Sequence, residues 1–593
     1  MKENKKIPKS VWLPLTIVGS LLLVGLIVFV LVYTIALKVD LKISANQVEQ
    51  TQSIVVNWDT SKPVDEVVIT VKHGNDIVRK STLTQYDEIV KGQMTIPVYY
   101  GKLTVKVDIK KGIYKTSKKV EVKVFTNEYN IAPITATMPV TLFTLSLEDI
   151  TNKGQIPTFV WFKRSGAWDW SKLPENVYPM PVASTSELLN SGENTMYKKT
   201  SAYVKELYSM NKNSKFNFYY NDYFAFGALQ ATIANGISPD NYHITFLSDG
   251  TASFNYFNKH LNNANYETEY ANMVKKYETL KKQIAKRKTY KKTSVGFSIS
   301  ADNLREYAFV MANEESNVDW WLTRASGTLG TFVLDTETGK TVYDNLVAPT
   351  IGTAIQVKDL KTLLVKIDPK VDNKNAGKTD EEINEMTKDL WFKKEDLKSL
   401  YKFSDTMFDK AKEENKEVMV ILGTWTQTEQ AELFDNYVKA IQAYYGENYV
   451  YYYKGHPRNP TDTVAGKRKH LEELGLIDID STIPAELIFF FNPDAFGSGY
   501  QSSTFLSVSA EKTCAIIKTR KDTFSESYKP NVDIFMSLNT LNSAKTGFTS
   551  SQNCVLLEFN DTTKYNIAIF DVTQNKLTYY KLNESSVYEE VQA

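Results

Sequence analysis

Residues Tyr449–Pro460 read YVYYYKGHPRNP. The first half carries the β-branched and aromatic types that suit a pleated, buried surface. The second half stops that strand with a cation, a glycine, a histidine and a proline: Lys454, Gly455, His456 and Pro457. A buried strand that runs straight into polar and turn-forming residues is the pattern of an open α/β sheet. In such sheets ligands bind beyond the carboxyl ends of the strands.

Working outward, the same kind of apolar run recurs at TLFTLSL (141–147), TFVWF (158–162), FNFYY (216–220), HITFL (243–247), EVMVIL (417–422) and ELIFFF (486–491). All are read as strands. Helix-like stretches such as AFGALQATIAN (225–235) and AELFDNYVKAIQAYY (431–445) lie between them. Strand–helix alternation with nearly continuous apolar strands predicts parallel sheets covered on both faces. The region is too long for one sheet, so two Rossmann-like domains facing across a cleft are expected, over 128–415 and 416–593. The charged, helical stretch from about 365 to 416 holds the connection between them.

Residues 40–126 differ. EVVITVKHG, QMTIPVYYG, KLTVKVDIKKG and KKVEVKV alternate with period two between turn residues, and Trp58 sits in a further run, IVVNW. Short alternating strands at this spacing predict an immunoglobulin-like β-sandwich whose lysines face water.

The N-terminal MKENKKIPK carries four lysines, and no charge follows from Ser10 to Leu37. That stretch exceeds the ~20 apolar residues needed to cross a bilayer. It predicts a tail over 1–10 and a transmembrane signal anchor over 11–37. The lysines before it place the tail in the cytoplasm and the rest of the chain outside, as a single-pass membrane protein.

Bulk composition excludes some functions. The 593 residues carry a net charge of +1, which gives no footprint for nucleic acid. Cys514 and Cys554 show no zinc-ligand spacing, and no metal site is expected.

Four motifs follow predicted strands: Ser248-Asp249-Gly250, Gly423-Thr424-Trp425, Lys454 to Pro457, and Glu486 followed by Ser502-Ser503. Each has a bland reading taken singly. Asp-Gly makes turns, a serine pair caps helices, a histidine before proline bonds backbone, and a tryptophan fills cores. Together they form a chemical set. An aspartate at a strand tip can take a proton from a hydroxyl. A histidine near a lysine can hold and protonate a leaving phosphate. Paired serines at a helix start make an anion site. A glutamate can accept from ribose hydroxyls.

In this order the motifs resemble the bacterial sialyltransferases of glycosyltransferase family 80, the marine-bacterial and Pasteurella type. The resemblance covers about residues 140 to 515. It implies the GT-B architecture, in some members with an immunoglobulin-like domain in front. It also implies inverting transfer of sialic acid from CMP-sialic acid to a hydroxyl of a galactoside-type glycan acceptor, with no metal or other cofactor. Asp249 then matches the general base and His456 the general acid. Lys454, Gly455, His456, Pro457, Glu486, Ser502 and Ser503 match the CMP-donor site, with Gly423 and Thr424 beside them. Trp425 matches a tryptophan that closes over the site. Asn221 and Asp222, after FNFYY, are strand-tip candidates for the acceptor. One departure is Ser248, which stands where the family has a first aspartate. The alternatives are a membrane-anchored surface pseudoenzyme that binds glycans or nucleotides on the same scaffold, and a transferase of another CMP-sugar.

Overall fold

The computed structural model describes residues 18–30, 38–49, 51–163, 168–190, 192–248, 265–286, 301–322, 332–335, 340–343, 355–358, 360–375, 377–423, 431–456, 466–500, 502, 504, 512–513, 515–517, 554–559, 562–585 and 588–592. They fall into two compact units, Met1–Asn127 with Lys205–Ser214, and Glu128–Val204 with Lys215–Ala593.

In the first unit residues 18–30 are helical, with apolar side chains exposed. Among the described residues no helix is long and apolar enough to cross a membrane. Seven strands follow: β1 (Leu41–Gln47), β2 (Ser53–Thr60), β3 (Glu66–His73), β4 (Asp76–Leu83), β5 (Gln93–Pro97), β6 (Gly101–Lys111) and β7 (Tyr114–Val124). They form two antiparallel sheets, ordered β1-β2-β5 and β4-β3-β6-β7. Alternation decides what is buried: Val67, Ile69 and Val71 on β3 and Leu103, Val105, Val107 and Ile109 on β6 point inward. Trp58 is buried too, and its indole Nε1 donates to the Ile89 carbonyl at 3.1 Å.

In the second unit the first sheet comprises β8 (Glu128–Thr135), β9 (Thr158–Lys163), β10 (Val177–Pro179), β11 (Lys215–Asn221), β12 (Tyr242–Leu247) and β13 (Val318–Leu322). A separate hairpin of β14 (Phe332–Asp335) and β15 (Lys340–Tyr343) precedes its last strand, β16 (Ile355–Val357). The sheet is parallel throughout, in the order β10-β9-β8-β11-β12-β13-β16. The chain therefore winds outward from β8 and then returns to its other side. The order reverses between β8 and β11, where doubly wound sheets open a ligand crevice.

The second sheet repeats that plan. Its strands are β17 (Glu417–Leu422), β18 (Tyr449–Lys454), β19 (Leu476–Ile479), β20 (Phe496–Tyr500), β21 (Ala515–Ile517), β22 (Cys554–Glu558), β23 (Ile567–Asp571), β24 (Lys576–Leu582) and β25 (Tyr588–Val591). The order is β19-β18-β17-β20-β21-β22-β23-β24-β25. Pairing is parallel as far as β21 and antiparallel from there to β25. The antiparallel extension goes beyond the plain Rossmann-like half expected from sequence. The reversal in order lies between β17 and β20.

Both sheets feed one hydrophobic core. Ile134 and Val160 of the first and Val420, Leu422 and Tyr452 of the second meet there, with Leu360, Leu364, Leu397 and Leu400 from the connecting helices. Two runs read as strands are helices in this layer. TLFTLSL lies mainly in the helix Thr137–Leu145, and ELIFFF in the helix Ala485–Phe491. Every residue from Pro139 to Leu145 is buried. A helix covered on all sides loses its polar stripe, so a short apolar run cannot tell it from a buried strand. The real strand there is EYNIAPIT, hidden by its proline.

Candidate active site

The second reversal point is built on Gly499. Its φ is +108°, and a Cβ placed there would stand 2.5 Å from the Leu422 carbonyl oxygen and 2.6 Å from its nitrogen. Only glycine lets β20 come this close to β17 at the Leu422↔Gly499 pair. Beyond Leu422, the Gly423 N–H donates to the Lys454 carbonyl at 2.9 Å. The carboxyl ends of β17 and β18 are thus tied together.

Lys454 ends β18 and is buried. Its Nζ donates to the Ser481 carbonyl at 2.7 Å and to the Gly455 carbonyl at 2.9 Å. Burial pulls its pKa down to about 8, opposed by the charges of Glu486, Asp480 and Asp478. The expectation of a phosphate-binding ammonium is corrected here. The cation is directed into the fold, where it holds the turn after β18 against the Ser481 segment. Gly455 is buried behind it, and His456 at the tip is half-buried.

Glu486 lies in the first turn of the helix Ala485–Phe491 and is buried. Its Oε1 accepts from Thr504 Oγ1 at 3.1 Å. Ser502 Oγ donates to Thr504 Oγ1 at 3.2 Å and accepts from the Thr504 N–H at 3.3 Å. The structure therefore joins Glu486 and Ser502, which lie far apart in sequence, through a residue that sequence reasoning missed. The signal was present in QSSTF. A serine two residues before a threonine has the spacing of a side-chain-to-backbone turn. Ser502 takes the N–H two residues on, as such a turn does, and belongs to the polar chain at once.

The first reversal point is closed differently. Pairing of β8 with β11 stops at Ile131↔Phe218. Pro133 follows and has no N–H to give. Asn221 bridges the gap: its Oδ1 accepts from the Thr135 N–H at 2.8 Å and its Nδ2 donates to the Thr135 carbonyl at 2.6 Å. Asp222 is fully buried; Trp320 Nε1 donates to its Oδ2 at 3.3 Å, and Arg305 Nε lies 3.5 Å from its Oδ1. The Arg305 guanidinium in turn lies over the Tyr223 ring, 5.1 Å from its centroid. Neither Asn221 nor Asp222 presents a side chain to an acceptor, as the sequence had suggested. Both belong to the scaffold: Asn221 bonds the backbone of Thr135, and Asp222 pairs in charge with Arg305.

Ser248, at the end of β12, is buried, and its N–H donates to the Trp321 carbonyl at 3.0 Å. Asp249, Thr424, Trp425, Pro457 and Ser503 lie outside the described residues.

No protein-family model matches this chain, and no curated protein sequence does. Solved structures do. A sialyltransferase from Photobacterium damsela is 13% identical, with a TM-score of 0.43 over 86% of this chain and 96% of that one. A 2,6-sialyltransferase from a Vibrionaceae Photobacterium species, in a ternary complex with the donor product CMP and the acceptor substrate lactose, is 12% identical, with a TM-score of 0.46 over 81% and 90%. The GT-B domain of the Photobacterium damselae sialyltransferase alone is 16% identical, with a TM-score of 0.41 over 69% and 97%. At these values no substrate and no residue role passes from them to this chain.

Proposed function

We propose that this chain is a GT-B glycosyltransferase that moves sialic acid from CMP-sialic acid to a hydroxyl of a galactoside-type glycan. The observation that carries the reading is the Glu486–Thr504–Ser502 chain at the second reversal point, beside the tip that bears His456. A nucleotide monophosphate leaving group needs a ribose acceptor and a phosphate site side by side. Thr504 occupies one oxygen of Glu486, and the other is left to accept from a ribose hydroxyl. His456 stands at the tip, where a donor to a phosphate belongs, and the Ser502 hydroxyl would turn from Thr504 to reach the same phosphate.

In this reading Asp249, one residue beyond the buried Ser248, takes the acceptor proton as the hydroxyl attacks the anomeric carbon. His456, Ser502 and Ser503 stabilise the charge that builds on the departing CMP. Lys454 positions the His456 loop from below. Trp425 closes over the bound donor. The two-sheet unit over β1–β7 is an immunoglobulin-type sandwich, a reading supported by its strand order. The uncharged stretch 11–37 anchors the chain in a membrane, with the N-terminus cytoplasmic and the catalytic unit outside.

The test uses the chain begun at Lys38, incubated with CMP-sialic acid with and without lactose, with CMP and product followed by mass spectrometry. Lactose-dependent CMP release with a sialylated product is expected, and Asp249→Ala and His456→Ala should each abolish most of it. Near-normal turnover in either variant would remove that residue from its role. Tight CMP binding without turnover would favour the surface pseudoenzyme.

A further inference from the structure

The two outer faces of the β1–β7 unit differ in charge. On the three-stranded sheet the outward positions of β1, β2 and β5 carry one lysine and one aspartate, Lys42 and Asp59, directly opposite each other. That face meets solvent with serine, asparagine, glutamine and threonine. On the four-stranded sheet the outward positions carry eight lysines (72, 80, 102, 106, 110, 115, 119 and 123) against three carboxylates, Glu66, Asp108 and Glu121, a net of +5. The whole chain has a net charge of only +1.

The arrangement is as telling as the number. Three lysine pairs stand directly opposite across β6 and β7: Lys102↔Lys123, Lys106↔Lys119 and Lys110↔Lys115. Like charges in that position destabilise a sheet. Solubility does not require them, since the neutral face of the same unit is solvated without them. Asp108 relieves one member, lying 2.5 Å from Lys106 Nζ. Glu66 stands opposite Lys110 across β3 and Glu121 lies between Lys119 and Lys123 on β7, which leaves the face at a net +5.

We propose that this lysine face docks on a surface of anionic phospholipid. The inference rests on the membrane-anchor reading of residues 11–37. The uncharged stretch ends at Leu37 and β1 begins at Leu41, leaving three residues between them. Three residues span at most about 11 Å, close to the ~8–10 Å over which charges act at physiological salt. Where the outer leaflet carries anionic phospholipid, a sandwich tethered that closely stays within reach of the attraction between basic face and headgroups. Docking would fix the orientation of a unit that the tether alone leaves free to turn.

The experiment has two arms. The full chain added to purely zwitterionic vesicles tests the anchor by itself. The chain begun at Lys38, which lacks the anchor, is titrated with zwitterionic vesicles and with vesicles holding 30% phosphatidylglycerol, and binding is read by co-sedimentation. Binding to the anionic vesicles alone is expected, weakening steeply with added salt. Lys106→Gln, Lys110→Gln, Lys115→Gln and Lys119→Gln together should lower it by at least about a hundredfold, at about fivefold per lysine near such a surface. The four arginine replacements should keep it. The side chains lie on the outer face, and far-UV circular dichroism checks that each variant is folded. Equal binding to both vesicle types, or glutamine variants that bind like the parent, would overturn the proposal. Binding to a soluble polyphosphate but not to vesicles would overturn it too, in favour of a polyanionic polymer. Failure of the zwitterionic arm alone would strike at the anchor and leave the face intact.

Discussion

Gly499→Ala tests the close approach of β17 and β20. The added Cβ would meet the Leu422 carbonyl oxygen at 2.5 Å and the Leu422 nitrogen at 2.6 Å, and the backbone at this position has φ +108°. A non-glycine residue held in such a conformation costs about 1–3 kcal/mol. Forcing atoms into a packed site adds about 1–3 kcal/mol. The expected loss is therefore about 2–6 kcal/mol, with the two strands pushed apart where Ser502 and Thr504 emerge. Gly446→Ala is the internal control. Gly446 also has a positive φ, +75°, but nothing lies within 4 Å of its virtual Cβ. It should lose only the conformational part, about 1–2 kcal/mol. Urea unfolding of both variants, followed by far-UV circular dichroism, measures the difference. CMP affinity, measured where both are folded, should fall for Gly499→Ala and hold for Gly446→Ala. If the two variants lose the same stability and bind CMP alike, the strands are not as close as described and the site is not seated on this pair.

Three further outcomes follow from the polar contacts. Lys454 has a folded pKa of about 8 against an ordinary 10.5, so between those values the unfolded chain binds more protons and stability rises with pH. The stability of the parent relative to Lys454→Met should therefore climb by about 3 kcal/mol from pH 7.5 to pH 10.5; a flat difference would mean the ammonium is solvated. Asn221→Ala leaves the Thr135 N–H and carbonyl without their partner, at about 1–3 kcal/mol for each buried group; urea unfolding that shifts by less than 1 kcal/mol would dismiss the bridge. Thr504→Val keeps the volume but removes the hydroxyl that donates to Glu486. CMP affinity should fall about fivefold to tenfold, for the loss of about 1 kcal/mol, and unchanged binding by calorimetry would detach Glu486 from the donor.

How much of this could be read beforehand depended on whether a segment keeps its period. Strands such as TFVWF, HITFL, EVMVIL and YVYYY were legible because each is a short apolar run that ends in turn residues. The helix Ala431–Tyr445 was legible too, because one side of it faces solvent and keeps a polar stripe. The helices at 137–145 and 485–491 were not, because their burial removes the stripe. Pro133 disguised the strand that leads the first sheet, since proline argues against a central strand. Here it is tolerated because the ladder to β11 ends before it. For the site, residue types and order pointed to Lys454, Glu486 and Ser502. Their partners were out of reach: that Lys454 turns inward to Ser481, and that Thr504 joins Ser502 to Glu486, are facts of contact between segments up to 27 residues apart.

The two reversal points differ in what their polar side chains do. At β8 and β11 the polar side chains are consumed internally. Asn221 substitutes for a ladder that Pro133 interrupts, and Asp222 neutralises Arg305. In the proposed reading the first sheet contributes from the next strand out, where Ser248 follows β12 and the chain runs on to Asp249. At β17 and β20 glycine performs the closing instead. Gly499 brings the backbones together without a side chain, and the polar residues that follow are free to organise around one another. Lys454 lies buried near Glu486. Glu486 accepts from Thr504, and Thr504 fixes Ser502. The order of dependence runs from the buried cation outward to the half-exposed hydroxyl. Loss of the inner member should therefore disturb everything beyond it, whereas loss of Ser502 should leave Lys454 and Glu486 where they are. Under the proposed function, a site that accepts from a ribose and donates to a phosphate needs a rigid acceptor and accessible donors, the parts assigned to Glu486 and His456.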